Sequence, residues 1–218
     1  MQQLEDSLKY KMWASDLKTS GIALKNLEEL HTIRKGNGEI LFSLIKVDAT
    51  APEGNPLLPI VMLRGNFVSV LTCLIDKETK EEFFLLVCQR RVANGALFYE
   101  HPAGMTDSES DPFEVALIEV SEETGLQIKR DQLHLLNDGQ LYSSPGLLDE
   151  AGYFFACEIE MSREEIMAFH MKRGGHYGEG EFIHTFVATP KEAKSLIKNV
   201  CGLLNSYLYQ DWKLENKG

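Results

Sequence analysis

Hydrophobic and polar positions change period several times along this chain, and each change predicts an element. From Phe67 to Ile75, and again from Phe83 to Cys88, the residues are almost continuously apolar, while the charged DKETKEE segment between them supplies a turn. That arrangement predicts a hairpin with a mostly buried sheet face. Leu97–His101 is a further short strand-like run. The period then lengthens, because Phe113, Ala116, Leu117 and Val120 recur at the three-to-four spacing of a helix stripe facing a core. Asp111 and Pro112 supply an N-cap and a first-turn proline for that helix, and Gly125 stands where it would stop.

Strand-like runs return near Leu133–Tyr142 and Tyr153–Ile159. Ser162 with Glu165 makes a capping box that predicts a helix to about Lys172, followed by a glycine-rich loop and the strand Phe182–Ala188. Thr189, Pro190 and Glu192 make a second capping box. From there Ala193, Leu196, Ile197, Val200, Leu203, Leu204, Tyr207 and Leu208 keep one stripe, predicting a continuous terminal helix packed on the sheet. Ahead of Leu63 the pattern is looser: residues 1–20 are charged with helical character, Glu39–Val47 reads as a strand, and Ala51–Pro59 is a turn-rich connector. Strands mixed with a few helices on both sides predict an α/β sandwich with a mixed sheet.

Composition narrows the function classes more than the fold. A chain of 218 residues with 44% hydrophobic content buries one substantial core with a small appendage. The expected division is an N-terminal extension over 1–60 and a main domain over 61–211. A net charge of −11 provides no broad basic surface, so duplex nucleic acid and anionic lipid are not expected partners, although a local basic pocket for a small phosphorylated ligand remains open. No apolar stretch reaches membrane-spanning length, and MQQLEDSLKYK lacks the apolar core of a signal peptide. Cys73, Cys88, Cys157 and Cys201 are widely spaced in apolar segments and read as buried thiols of a reducing compartment, with the cytoplasm as the expected location. His101, His170, His176 and His184 share no metal-ligand spacing.

The densest chemistry lies on the helix ending at Gly125, where Glu119, Glu122 and Glu123 fall within an arc of about 100°. Like charges at this spacing repel, so the arc needs either full solvation or a divalent ion with hard oxygen ligands. Spacing alone leaves both readings open, with an acidic face aimed away from the core in either case. The context is more specific. Gly104, Glu119, Val120, Glu122, Glu123, Gly125 and Leu126 occupy the places of a Nudix box, which the whole segment resembles. Ser110 stands at the first glutamate position and Ile118 at the arginine position of that box.

Around the box, Leu63-Arg64-Gly65, Gln89-Arg90-Arg91-Val92, the segment Glu100 to Met105, the run Ser143 to Glu150, and Glu179-Gly180-Glu181-Phe182-Ile183 are similar to the ADP-sugar and ADP-ribose pyrophosphatase branch of the family, plant ADP-glucose-type members above all. The resemblance implies a Nudix α/β/α sandwich with a dimerising N-terminal extension. It implies Mg2+ or Mn2+ held by Glu119, Glu123, Glu181 and the carbonyl of Ala103, with Glu122 close by. Glu179 becomes the candidate general base and Glu122 a second catalytic candidate, and Arg91, Pro145, Gly146 and Glu150 become substrate contacts, the guanidinium fork suiting phosphate oxygens. Without the resemblance, Glu179 is a loop carboxylate, Arg91 a partner in a surface ion pair, and Ser144-Pro145-Gly146 a turn.

The implied activity is Mg2+-dependent hydrolysis of a nucleoside diphosphate sugar, such as ADP-ribose or an ADP-sugar, to a nucleoside monophosphate and a sugar phosphate by a homodimer. The alternative is a Nudix-fold binding or regulatory protein with weak turnover, which the isoleucine at 118 favours. A hydrolase acting on RNA 5′ ends is a third reading, disfavoured by the acidic balance.

Overall fold

The computed structural model describes residues 3–106, 111–174 and 183–217. Its contacts group the chain into two compact units. The first comprises Met1–Phe67, Met105–Ser110 and Gln140–Gly152, and the second Val68–Gly104, Asp111–Gly139 and Tyr153–Gly218.

In the first unit, helix α1 (Leu8–Thr19) starts where the Ser7 hydroxyl accepts from the backbone N–H of Tyr10. A three-stranded antiparallel sheet follows, ordered β1 (Ala23–Arg34), β2 (Ile40–Thr50), β3 (Ile60–Leu63). Strand β2 alternates as a half-buried strand should: Ser43, Ile45, Val47 and Ala49 point inward. Ile45, Val47, Ala49 and Leu63 form a small core with Leu4 and Ile40, onto which Tyr10 and Trp13 of α1 pack. Strand β1 escapes the sequence reading because its register shifts at Leu24/Asn26, Glu29/His31 and Ile33/Arg34, and each shift breaks the two-residue alternation.

The second unit is built on β4 (Phe67–Asp76) and β5 (Glu82–Arg90), the expected hairpin. Then come β6 (Leu97–Glu100), β7 (Ala103–Met105), helix α2 (Pro112–Thr124), β8 (His134–Leu135) and, after the two-residue strand β9 (Leu141–Tyr142) that belongs to the first unit, the long β10 (Ala151–Met161). Helix α3 (Arg163–Met167), β11 (Arg173–Gly174), β12 (Ile183–Ala188), α4 (Pro190–Leu196) and α5 (Val200–Lys217) complete it. The sheet runs β11-β12-β5-β4-β10-β8, with β6 on β5 and β7 on β4, while β9 pairs with the first residues of β10.

Both faces of this sheet are buried rather than one. Val68, Val70, Leu74, Phe83, Leu85, Phe155 and Cys157 face Val115, Ala116 and Val120 of α2 and Ile166 of α3. Their sequence neighbours Leu71, Cys73, Phe84, Leu86 and Ala156 face Ala193 of α4 and Tyr209 of α5. Alternate residues of each strand thus serve two helical layers, which gives the α/β/α sandwich.

Two helices are shorter than their periodicity predicts. The Ser162–Glu165 capping box is present, yet α3 ends at Met167 instead of Lys172. Met171 adopts φ 57°, and the backbone beyond it is drawn into pairing with β12, Arg173 opposite His184. The Thr189–Glu192 box and Pro190 open α4 as expected. The terminal helix is not continuous, however, because Ile197 is extended at ψ 125° and the Asn199 side chain recaps the chain by accepting from the N–H of Gly202.

Candidate functional site

Local signals place α2. Asp111 Oδ1 accepts from the N–H of Phe113 at 3.0 Å, and its other oxygen meets Arg130 Nη1 at 2.7 Å. The arginine and the backbone N–H hold the Asp111 carboxyl below its ordinary range. At the far end Gly125 takes φ 75°, a left-handed conformation suited to glycine, and its N–H caps the Ser121 carbonyl at 2.8 Å.

Between these ends the three glutamates occupy three environments, so the picture of one acidic face turned away from the core needs correction. Glu123 is only 6% exposed, and its Oε2 accepts from the N–H of Ala103 at 3.0 Å. Glu119 is half-buried against β7: a Cβ on Gly104 would lie 1.7 Å from its Oε1. Glu122 is exposed. The fold therefore brings Glu119, Glu123 and the Ala103–Gly104 backbone together and leaves Glu122 outside that group. A solvated acidic face does not describe Glu123, whose burial is compensated by a backbone donor. At the same helix end, a Cβ on Gly174 would meet the Glu123 carbonyl oxygen at 1.9 Å, so β11 presses directly on the last turn of α2.

Glu179, Glu181 and the box position Ser110 lie outside the described residues. Among the described residues no three His, Cys, Asp or Glu side chains form a group able to hold a metal ion. Two carboxylates against one stretch of backbone are nevertheless a donor set suited to Mg2+, which takes one or two protein carboxylates and completes its shell with water and substrate phosphate. The close approach that glycine permits at 104 fits such a cradle.

Just upstream, His101 is buried at the end of β6 with Nε2 3.1 Å from Ser206 Oγ on α5. Burial drives its pKa down to about 3, which makes it a neutral core histidine. Arg91 is held by Glu100, its Nε 2.9 Å and its Nη2 2.8 Å from Oε2. Glu100 Oε1 accepts from Asn199 Nδ2 at 3.0 Å. Arg91 is thus in an ion pair, with its side chain 46% exposed.

In the first unit, Pro145 and Gly146 are exposed on a turn in which the N–H groups of Leu147 and Leu148 both reach the Ser144 carbonyl. The turn leads into Asp149 and Glu150. Glu150 is 8% exposed, pairs with Arg64 and accepts from the Ser143 hydroxyl at 2.7 Å. Asp149 accepts from the N–H groups of Arg64 at 2.6 Å and Gly65 at 3.1 Å. Burial pushes the Asp149 carboxyl up, while those two donors and the Lys9 charge pull it back.

Sequence reasoning gave no individual role to Glu100, Asn199, Arg64 or Asp149. Only the first had a readable signal, an acidic residue nine positions from Arg91 across a tight hairpin. The other partners stand 84 or more positions from the groups they hold.

Residues 65–168 match the NUDIX domain family model. The chain is 32% identical over 151 residues to Nudix hydrolase 14, chloroplastic, of Arabidopsis thaliana, an alignment covering 65% of this chain and 48% of that protein. It is 28% identical over 179 residues to the ADP-ribose pyrophosphatase of Bacillus subtilis (strain 168), covering 81% and 86%. The chain thus spans about half the length of the plant relative. A crystal structure of an ADP compounds hydrolase shares the fold with a TM-score of 0.62 at 15% identity, over 89% of this chain and 95% of that one.

Proposed function

Since this chain belongs to the Nudix family, we propose that it hydrolyses the diphosphate of a nucleoside diphosphate sugar, with ADP-ribose or an ADP-sugar as substrate and Mg2+ or Mn2+ as cofactor. The observation that carries this reading is the placement of Glu119 and Glu123 together against the Ala103–Gly104 backbone. In the proposal Glu119, Glu123 and the Ala103 carbonyl hold the divalent ion, with Glu181 added on the strength of the resemblance. The ion, when bound, supplies positive charge to a diphosphate that would otherwise repel the carboxylates.

The chain's own residues do the rest. Glu179 accepts a proton from water, whose oxygen bonds to one phosphorus while the bridging P–O bond breaks and its oxygen leaves on the other phosphate. Nucleoside monophosphate and sugar phosphate are the products. Arg91 presents the part of its fork not engaged by Glu100 to phosphate oxygens, and Pro145, Gly146 and Glu150 are substrate contacts on the resemblance alone. Buried Glu123 is held by the Ala103 N–H, which keeps the carboxylate oriented without a cation.

Incubation of the protein with a panel of nucleotide sugars and dinucleotides plus Mg2+ or Mn2+, with products identified by mass, tests the proposal. Release of AMP and a sugar phosphate is the expected result. Binding without any release of nucleoside monophosphate would favour the second reading, a Nudix-fold nucleotide-binding protein of weak turnover. The specific observation for that alternative is Ile118, 47% exposed on α2, at the position where the box carries arginine.

A further inference from the structure

The first turn of α5 is tied to the residues that feed the candidate site. Asn199 breaks the α4–α5 helical path and uses both ends of its amide: Oδ1 accepts from the N–H of Gly202, and Nδ2 donates to Glu100 Oε1 at 3.0 Å. Glu100 turns its second oxygen to Arg91, Nε at 2.9 Å and Nη2 at 2.8 Å. The Glu100 side chain is 14% exposed and that of Arg91 46%, so the relay runs from the protein interior to a guanidinium at the surface. The neighbouring residue is fixed by the same turn. His101 meets Ser206 Oγ at 3.1 Å, and that hydroxyl reaches the Gly202 carbonyl at 3.1 Å. Gly202 itself has no room for a side chain, since a Cβ would lie 2.8 Å from Asn199 Oδ1 and 2.9 Å from Ile197 Cγ2.

A free arginine samples many rotamers, and binding an anion with it costs that freedom. Among the described residues Arg91 is engaged through one edge, because Nε and Nη2 share the single oxygen Oε2 of Glu100. Nη1 and the outer N–H of Nη2 stand on the opposite edge, a geometry suited to two oxygens of a phosphate. We propose that Asn199 is a positioning residue for nucleotide binding: through Glu100 it fixes the Arg91 guanidinium with its outer edge ready for the phosphate groups of a nucleoside diphosphate. This rests on the hydrolase reading for the identity of the ligand. It extends that reading to two residues, Glu100 and Asn199, that act through Arg91.

Asn199→Asp separates positioning from folding. The aspartate keeps an oxygen for the Gly202 N–H but loses the donor to Glu100 and sets a like charge against it. The full chain and its variants Asn199→Asp, Arg91→Ala and the double variant are compared by calorimetric titration with ADP in Mg2+-free buffer, and by KM and kcat for ADP-ribose with Mg2+. The expected result is an unfolding midpoint close to that of the starting protein, a Kd and KM raised about tenfold in Asn199→Asp with kcat little changed, and no further loss when Asn199→Asp is added to Arg91→Ala. Unchanged affinity in Asn199→Asp, or losses that add in the double variant, would overturn the inference and leave the hydrolase reading standing. Tight ADP binding that depends on Asn199, with no turnover of any nucleotide sugar, would overturn the hydrolase reading instead. Failure of the starting protein both to bind ADP and to turn over any nucleotide sugar would overturn both.

Discussion

Glu119 occupies the volume that any side chain on Gly104 would need, since a Cβ there would lie 1.7 Å from its Oε1 and 2.0 Å from its Cδ. No left-handed backbone is involved at this glycine, so the requirement is space alone. Gly104→Ala therefore leaves the backbone unstrained and forces the Glu119 carboxylate to swing away. Thermal unfolding is expected to shift by no more than about 1 kcal/mol, while turnover falls by orders of magnitude and the metal requirement rises. An alanine variant with ordinary turnover and metal dependence would show that Glu119 does not act from this position.

Glu123→Gln preserves an oxygen for the Ala103 N–H and removes only the charge. The fold is expected to survive and turnover to drop by orders of magnitude, because a neutral amide is a poor ligand for a hard divalent cation. Steady-state kinetics at saturating Mg2+, with circular dichroism as the control for folding, decides this. Turnover close to that of the unaltered chain would remove Glu123 from the metal site.

Ile118 stands one turn before Glu122, and both are exposed. Ile118→Arg costs little stability as a surface change, within about 0.5 kcal/mol, and brings a cation within reach of Glu122 at i+4. The expected outcome is a lower Mg2+ concentration for half-maximal rate and faster turnover. Metal titrations that overlay for the two proteins would show that the isoleucine does not limit the site.

His101 connects the site's scaffold to pH. Its pKa falls from 6.5 to about 3 on folding, so between those values the unfolded chain binds the proton that the native chain refuses. Its contribution is fully present above about pH 6.5 and is lost as pH falls toward 3, a cost on the order of a few kcal/mol. Urea midpoints measured from pH 7 to pH 4 are expected to decline more steeply for the unaltered protein than for His101→Gln. Parallel curves would place the titrating group elsewhere.

The outer face of the three-stranded sheet bears on assembly. Ile33 opposite Phe42, Leu44 opposite Met62, and Lys46 opposite Ile60 share the side turned away from the small core, with Ile33 at 37% and Ile60 at 38% exposure. We propose that a second copy covers this face, and sedimentation at micromolar concentration is expected to report a dimer. Deleting residues 1–50 removes α1, β1 and β2 and strips the small core, with aggregation or inactivity as the outcome. A soluble, active monomer after that deletion would show the extension to be dispensable.

What the sequence determined by itself is what depends on neighbours in the chain. Asp111, Pro112 and Gly125 bound α2, Ser162 with Glu165 and Thr189 with Glu192 open α3 and α4, and the runs Phe67–Ile75 and Phe83–Cys88 become paired strands, because capping, turn chemistry and periodicity act over a few residues. Even the break after Ile197 had a local cue in Asn199, which the continuing apolar stripe concealed. Tertiary structure alone decided which of the three box glutamates is buried, since spacing on a helix cannot tell that the Ala103 N–H waits beside Glu123 and not beside Glu122. The same holds for Arg91, whose partner Glu100 and buttress Asn199 come from a hairpin and a distant helix turn, and for Arg64 held by Glu150. Burial and charge pairing are set by which segments the core brings together, a property of the whole chain that no short window contains.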